Sequence, residues 1–132
     1  MERVLQFPGT IAGLAEGTDA LRGFLDGCAL TAARRYQLEL TFDEIAGNIV
    51  RHGETVRKIE VQIAIDDREA SMTFVDDGIP FDPRDHPQRE TLSVLSDQLG
   101  GFGLPLVKTF ATRIDYQRTQ QLNRLSLAIP IA

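Results

Sequence analysis

The chain has 132 residues, of which 42% are hydrophobic and 25% charged, the composition of one ordinary globular domain spanning residues 1–132. Its net charge of −5 and its scarcity of lysine argue against a nucleic-acid binder held by phosphate contacts. A lone cysteine, Cys28, excludes an internal disulfide and a zinc cluster, and it fits a reducing cytoplasm. Without a basic-then-apolar leader or an apolar run near the roughly 18 residues of a membrane span, the sequence predicts a soluble cytoplasmic protein.

The first predicted elements are a short strand and a glycine-rich helix. Arg3 to Phe7 alternates enough between polar and apolar residues to predict a short strand. Helical spacing then runs from Ile11 to Cys28, with Thr10 or Thr18 as the candidate cap. Because each glycine weakens a helix by about 1 kcal/mol relative to alanine, the glycines of this segment predict a break near Gly17-Thr18.

The longest predicted helix runs from about Ala32 to His52, between Thr31 as its cap and Gly53 as its stop. Its apolar residues recur at spacings of four, three and four, and they form one stripe that would bury against a sheet: Leu38, Phe42, Ile45 and Ile49. Glu44, Asn48 and His52 follow one another at single-turn spacing along the edge of that stripe. On an isolated helix such a row is most often solvated surface, so its chemistry depends on the rest of the chain.

Strands dominate the remainder of the chain. Ile59 to Ile65 and Ala70 to Val75 form a predicted strand pair, whereas the segment from Asp76 to Gly103 is longer than a mere connection, as functional loops are. That segment includes a predicted short helix around Leu92 to Leu99. A helix starts at Gly103, and a hairpin made of Arg113 to Arg118 and Asn123 to Ile129 closes the chain. The order predicts a two-layer α+β sandwich, with helices on one face of a mixed, mostly antiparallel sheet.

Two loop motifs carry further chemistry. Asp76 ends a strand and precedes Gly78, and a carboxylate at such a point can receive the amino group of a purine. The alternative is a plain turn, since Asp-Gly is a common turn dipeptide. Gly100, Gly101 and Gly103 precede a helix and would expose backbone N–H groups to an anion, although glycines also serve simple loop geometry.

Taken together, these motifs resemble the ATP-binding domain shared by gyrase, Hsp90, histidine kinases and MutL, the Bergerat-type fold. Within that superfamily the chain is most similar to the bacterial anti-sigma-factor serine/threonine kinases. The resemblance rests on Glu44-x-x-x-Asn48-x-x-x-His52-Gly53, on Asp76-x-Gly78-x-Pro80-Phe81, and on Gly100-Gly101-Phe102-Gly103-Leu104. The ending Asn123-Arg124-Leu125-Ser126-Leu127 also resembles their final strand, so the resemblance covers nearly the whole chain.

The resemblance implies a role for each matched residue. Glu44 would orient or deprotonate the attacking nucleophile, and Asn48 would bind Mg²⁺ through its amide oxygen. Asp76 would accept the adenine amino group, with Gly78 allowing close approach. The remaining matched positions would contribute to the ATP site: His52, Pro80, Phe81, Gly100, Gly101, Phe102, Gly103 and Leu104. His52 is also consistent with a packed structural histidine, and Arg51 and Arg84 are candidate phosphate contacts.

The resemblance implies an ATP- and Mg²⁺-dependent protein kinase of a partner-switching pathway. It would bind a sigma factor or other effector, phosphorylate a STAS-type antagonist, and leave nucleic acid and membrane uncontacted; a homodimer stays open. The runner-up is a module that binds ATP and sequesters partners without turnover. A third interpretation is the detached catalytic domain of a histidine kinase. The sequence argues against it, since it shows no pair of dimerisation helices with a phosphorylatable histidine.

Overall fold

The computed structural model describes residues 1–82 and 103–132, without the side chains of residues 103 and 104. Within these ranges the chain forms five strands and three helices. In chain order they are β1 Glu2–Pro8, α1 Ile11–Asp26, α2 Ala32–His52, β2 Lys58–Ile65, β3 Glu69–Asp76, α3 Gly103–Phe110, β4 Arg113–Thr119 and β5 Leu122–Pro130. The predicted helix at Leu92 to Leu99 lies outside the described residues.

The strands form one sheet in the order β1-β2-β3-β5-β4, and every pairing among them is antiparallel. The predicted α+β sandwich is confirmed, without a parallel pair among the described strands. In this order β3 lies at the centre of the sheet and pairs with β5, which places Asp76 directly opposite Asn123. The end of β3 and the start of β5 therefore meet at one edge.

The core lies between α2 and one face of the sheet. The predicted stripe of α2 is fully buried, and Phe42 contacts Phe7 of β1 and Phe74 of β3 at ring-centroid distances of 5.7 and 6.1 Å. Ile59 and its alternate neighbours along β2 are buried against the same layer, as their alternation predicts. Phe42 thus joins the helix layer to two strands that are not neighbours in the sheet.

The predicted break in α1 is wrong, because the helix continues from Ile11 to Asp26 with Thr10 as its cap. Two of its three glycines, Gly13 and Gly17, lie where α1 packs against β1. A Cβ atom on Gly17 would lie 2.6 Å from the ring of Phe7, and one on Gly13 would overlap the carbonyl oxygen of Pro8. Tertiary packing therefore requires the small residues, and it offsets their low helix propensity.

The other elements follow their predicted boundaries within one or two residues. Thr31 caps α2 by accepting a hydrogen bond from the backbone N–H of Arg34, and Gly53 follows its last turn. The hairpin between β4 and β5 turns on Gln120 and Gln121, which have φ angles of 52° and 65°. Among the described helices, none is both long and apolar enough to span a membrane.

Candidate functional site

The polar edge of α2 is buried. Glu44 and Asn48 keep only 7% and 9% of their surface exposed, one helical turn apart on the helix that carries the core stripe. The sequence also allowed these residues to be part of a solvated helix face, and this alternative does not fit the burial of Glu44 and Asn48. Because burial of a carboxylate and an amide costs free energy unless each is hydrogen-bonded, these two positions are candidates for function.

Asn48 Oδ1 accepts a hydrogen bond of 2.8 Å from the guanidinium of Arg51. The arginine lies across Gly47, where an added Cβ would come within 3.1 Å of its terminal nitrogen. An amide oxygen has two lone pairs, and Arg51 uses one of them, but the positive charge of its guanidinium disfavours a cation at the other. Arg51 itself is exposed to solvent.

The residues fit a Mg²⁺ site only as a partial ligand set. No group of three or more His, Cys, Asp or Glu side chains suited to a metal occurs in residues 1–82 and 103–132. Mg²⁺ commonly keeps waters and takes one or two protein ligands together with substrate phosphates. Asn48 can serve as one such ligand once Arg51 turns away from its oxygen.

His52 closes α2 and packs against the loop that follows β3. Its ring lies 5.4 Å from the ring of Phe81, centroid to centroid, with the planes tilted by 39°. Next to it, the carbonyl oxygen of Gly53 accepts a hydrogen bond of 3.3 Å from the backbone N–H of Ile79. His52 thus has the packed role that the sequence allowed, and it joins two of the predicted motifs.

Asp76 is the most deeply buried predicted site residue on the sheet, with 4% of its surface exposed. Its Oδ1 accepts hydrogen bonds from the backbone N–H of Gly78 at 2.9 Å and from Asn123 Nδ2 at 3.0 Å. Burial raises the pKa of this carboxyl above its ordinary value, although both hydrogen bonds favour the ionised form. Its second oxygen, Oδ2, has no donor in the described part of the chain.

Both interpretations of Asp76 therefore describe part of its geometry. The bond from Oδ1 to the N–H of Gly78 closes an Asx-turn, which is the plain turn reading. The remaining oxygen is a buried acceptor that a ligand N–H can satisfy, as the amino group of adenine would. Asp76 is thus suited to both roles, one with each oxygen.

Gly78 is required by the packing of the protein itself. A Cβ atom there would lie 2.7 Å from the carbonyl oxygen of Gly53 and 3.1 Å from Asp76 Oδ1. This close approach joins the loop to the end of α2, whereas the close approach of Gly78 to adenine stays a prediction. Pro80 is exposed, whereas Phe81 is half-buried and donates its backbone N–H to Asn123 Oδ1 at 3.3 Å.

Asn123, which the sequence analysis named only as part of the final strand, lies at the centre of this hydrogen-bond network. It is 3% exposed, and its Nδ2 donates to Asp76 Oδ1 and, at 2.8 Å, to the carbonyl oxygen of Ile79. Its Oδ1 accepts from three groups: Phe81 N, the Tyr116 hydroxyl and Arg118 Nη1. One signal could have identified it: Asn123 has the same parity as Leu125, Leu127 and Ile129, which makes it a polar residue on the buried face of β5.

The third motif is described only in part. Gly100, Gly101, Phe102 and Arg84 lie outside the described residues, and of Gly103 and Leu104 only the backbone is described. Helix α3 begins at Gly103 as predicted and packs against α2, with Val107 fully buried. The structure therefore joins the first two motifs directly, while the role of the third stays a prediction.

Comparisons with known proteins point the same way as the geometry. The sequence matches the family model for the histidine kinase-like ATPase domain over residues 7–129. A relative, the serine/threonine-protein kinase BtrW of Bordetella bronchiseptica, is 35% identical over 118 residues, which cover 83% of this chain and 82% of that protein.

Two solved structures have a similar fold. One belongs to the SiaB–SiaC complex from Pseudomonas aeruginosa, with a TM-score of 0.56 and 15% identity over 98% of this chain and 89% of the other. The second is the histidine kinase AdeS of Acinetobacter baumannii, with a TM-score of 0.52 and 14% identity over 98% and 68% of the two chains. At such identities the likeness concerns the fold alone.

Proposed function

The chain belongs to the family of histidine kinase-like ATPase domains, and from this premise we propose that it is an ATP- and Mg²⁺-dependent protein serine/threonine kinase. In this proposal it acts in the cytoplasm, in a partner-switching pathway. Its substrate is a serine or threonine of a STAS-type antagonist, and its other partner is a sigma factor or another effector protein. The relative named a serine/threonine-protein kinase supports the choice of a protein hydroxyl as acceptor.

The observation that carries the proposal is the buried Asp76 carboxylate with one oxygen left for a ligand. Adenine offers an exocyclic amino group as donor, and a charged acceptor makes a stronger hydrogen bond than a neutral one. Asn123 holds Asp76 in place from the neighbouring strand, and Gly78 closes the loop below it. These contacts keep the acceptor oriented before the nucleotide arrives.

Chemistry at the phosphate end is assigned to the buried edge of α2. ATP would supply the phosphoryl group, and Mg²⁺ would neutralise charge on the phosphates. Asn48 would hold the metal ion through its amide oxygen. Glu44, one turn earlier on the same helix, would accept the proton of the attacking hydroxyl or orient that hydroxyl. The hydroxyl itself would come from the partner, so this chain need not contain it.

The second candidate function is a module that binds ATP and sequesters its partners without phosphoryl transfer. One contact favours it: Arg51 occupies the Asn48 oxygen that the kinase reading assigns to Mg²⁺. If Arg51 stays there when the nucleotide binds, its guanidinium would neutralise phosphate charge in place of the metal ion, and transfer would be slow.

Substitution of Glu44 separates the two functions. Glu44→Gln keeps the shape of the side chain but removes the proton acceptor, so transfer from Mg-ATP to the proposed STAS-type partner should slow by about 10²–10⁴-fold. ADP affinity should stay near the wild-type value, because a base used only during transfer contributes little to ground-state binding. Radiolabelled ATP measures the first quantity and calorimetry the second.

Asp43→Asn is the matched control, since Asp43 is the exposed neighbour of Glu44 and the substitution removes the same charge. It should leave both quantities unchanged. Transfer at the wild-type rate by Glu44→Gln would contradict the role of Glu44. A wild-type protein that binds ATP and its partner, yet transfers nothing, would instead support the sequestering module.

A further inference from the structure

A cavity lies at the end of the sheet where β2 begins, β3 ends and the β4–β5 hairpin turns. Its volume is about 600 Å³, and we call it the hairpin basin. Its polar lining comes from Arg57, Asp77, Arg118, Gln120 and Gln121, together with the backbone of Gly78. None of these side chains has a role in the proposed ATP site, although Gly78 and Pro80, which the resemblance assigns to that site, also border the basin.

The hairpin basin is rich in hydrogen-bond donors. Arg118 Nη1 donates to the carbonyl oxygen of Gly78 at 2.7 Å and to Asn123 Oδ1, and the other guanidinium nitrogens have no acceptor in the described residues. The Arg57 guanidinium likewise donates no hydrogen bond there, although its charge helps to lower the pKa of Asp77. Two arginines with unused donors on a protein of net charge −5 form a local site for an anion.

Asp77 contributes the opposing charge, but its carboxylate is already engaged. Its Oδ1 accepts hydrogen bonds from the backbone N–H groups of Arg57 and Lys58, at 2.8 and 3.3 Å. Burial alone would raise the pKa of Asp77, yet these two bonds hold it below its ordinary value. Asp77 therefore fixes the start of β2 under the basin and leaves the arginine donors available.

Backbone strain surrounds the same cavity. Within the described residues three non-glycine residues have positive φ: Glu54, Gln120 and Gln121. Both glutamines line the hairpin basin, and Glu54 precedes Thr55, which also lines it. A two-residue hairpin turn favours asparagine and glycine at these positions, so glutamine destabilises the turn. Strained residues concentrate where their side chains bind a ligand, which fits the amide groups of the two glutamines.

We propose that the hairpin basin binds an acidic segment of a partner protein, through carboxylates that pair with Arg57 and Arg118. Guanidinium groups bind carboxylates with two parallel hydrogen bonds, and glutamine amides add neutral donors beside them. The volume exceeds what one carboxylate needs and accommodates several side chains of a peptide. Through Arg118 the bound segment would contact the loop whose Asp76 belongs to the proposed ATP site.

A hexaglutamate peptide with a fluorescent label tests the proposal, with hexaglutamine as the neutral comparison. Hexaglutamate should bind saturably and more weakly as salt rises, and the side-chain amide NMR signals of Gln120 and Gln121 should shift. Arg57→Gln should weaken the peptide at least fivefold. Arg68→Gln, which removes an equal charge in the turn at the other end of β2, should change the affinity less than twofold.

Gln121→Gly provides a second, independent variant. Glycine relieves the positive φ, so the melting temperature should rise, while the lost amide should weaken the peptide. A more stable variant with unchanged affinity would overturn the role of the glutamine. The proposal also fails if hexaglutamate does not saturate, or if Arg57→Gln and Arg68→Gln behave alike. Inorganic phosphate that shifts the same signals at lower concentration than hexaglutamate would overturn the acidic segment in favour of a phosphate ligand.

Titrations with and without saturating Mg-ADP keep the basin distinct from the proposed ATP site. Peptide binding that persists with ADP present supports a separate basin, whereas simple competition by ADP would overturn it. If ADP itself does not bind, the proposed kinase function fails, and the titration without nucleotide still measures the hairpin basin.

Discussion

At the scale of single residues, the pair Asp76 and Asn123 accounts for most of the site geometry. The two residues face each other across β3 and β5, and both are buried. Asp76 could be selected as a candidate from the sequence because a carboxylate before glycine at a strand end is a local pattern, and its role towards the nucleotide stays a prediction. Asn123 could not be assigned a role, since its partners on three other segments become neighbours only in the folded sheet.

Asp76→Asn should weaken ADP while leaving the fold intact. Asparagine keeps an oxygen for the hydrogen bonds from Gly78 and Asn123, but its amide nitrogen then presents a donor to the adenine amino group. Loss of a charged hydrogen bond costs roughly 1.5–3 kcal/mol, or about 10- to 150-fold in affinity. Calorimetry with ADP measures the loss, and affinity within twofold of wild type would reduce Asp76 to a turn residue.

The same variant has a defined dependence of stability on pH. Because the folded-state pKa of Asp76 is raised, ionising this carboxyl costs stability, and the full cost is present only above that pKa. Asp76→Asn should therefore gain stability relative to wild type as pH rises above the ordinary aspartate pKa of about 4, because the folded wild type must ionise a carboxyl whose pKa is raised. Asp77→Asn should behave oppositely, losing stability at neutral pH, since the pKa of Asp77 is lowered. Urea unfolding across this range measures both, and parallel curves for the two variants would contradict the assignment.

Asn123→Ala should destabilise the fold more than its size suggests. The substitution removes a donor from the buried Asp76 and an acceptor from Phe81, Tyr116 and Arg118. A buried polar group that loses its hydrogen-bond partner costs about 1–3 kcal/mol of folding free energy. The substitution would remove a partner from several such groups at once. Urea unfolding measures the change, with Arg124→Ala at the exposed neighbouring position as control. A loss of unfolding free energy no larger than that of Arg124→Ala would contradict the central role of Asn123 in the hydrogen-bond network.

At the scale of elements, the spacing of apolar residues along the sequence predicted α2 and the strands, because the residues that the spacing selects are the ones that are buried. The exception is α1, which continues through the glycines where a break was expected. Helix propensity is a property of neighbouring residues, whereas the contacts that need Gly13 and Gly17 come from β1. The sequence therefore showed the low helix propensity of the glycines, but it did not show the packing against β1 that offsets this propensity.

Substitution by alanine should change the stability of the protein in opposite directions at two glycines of α1. A Cβ on Gly23 would meet no atom within 4 Å, so Gly23→Ala should stabilise the protein by about 0.5–1 kcal/mol. A Cβ on Gly13 would overlap the Pro8 carbonyl, so Gly13→Ala should destabilise it by roughly 1–3 kcal/mol. Denaturant unfolding compares the two directly. Equal effects would indicate that α1 does not pack against the end of β1 as described.

At the scale of the whole molecule, one loop connects the features that bear on function. The segment from Asp76 to Phe81 contacts the end of α2 through Gly53 and His52, and it contacts β5 through Asn123. Its Gly78 carbonyl also accepts from Arg118 at the hairpin basin. A ligand bound at Asp76, as proposed, would therefore lie where both layers of the sandwich meet, and it should stabilise the folded chain as a unit.

Mg-ADP should raise the melting temperature of the protein for this reason. A ligand at 100 times its dissociation constant stabilises the folded state by about 2.7 kcal/mol, which for a chain of this size corresponds to a shift on the order of 10 °C. Asp76→Asn should lose most of the shift at the same ADP concentration, because its affinity falls while its fold persists. Gly23→Ala changes stability at a helix outside the proposed nucleotide site. It should keep the full shift, measured from its own higher melting temperature without nucleotide. Differential scanning calorimetry at millimolar nucleotide measures all three proteins, and a folded wild type that shows no shift would refute nucleotide binding at this site.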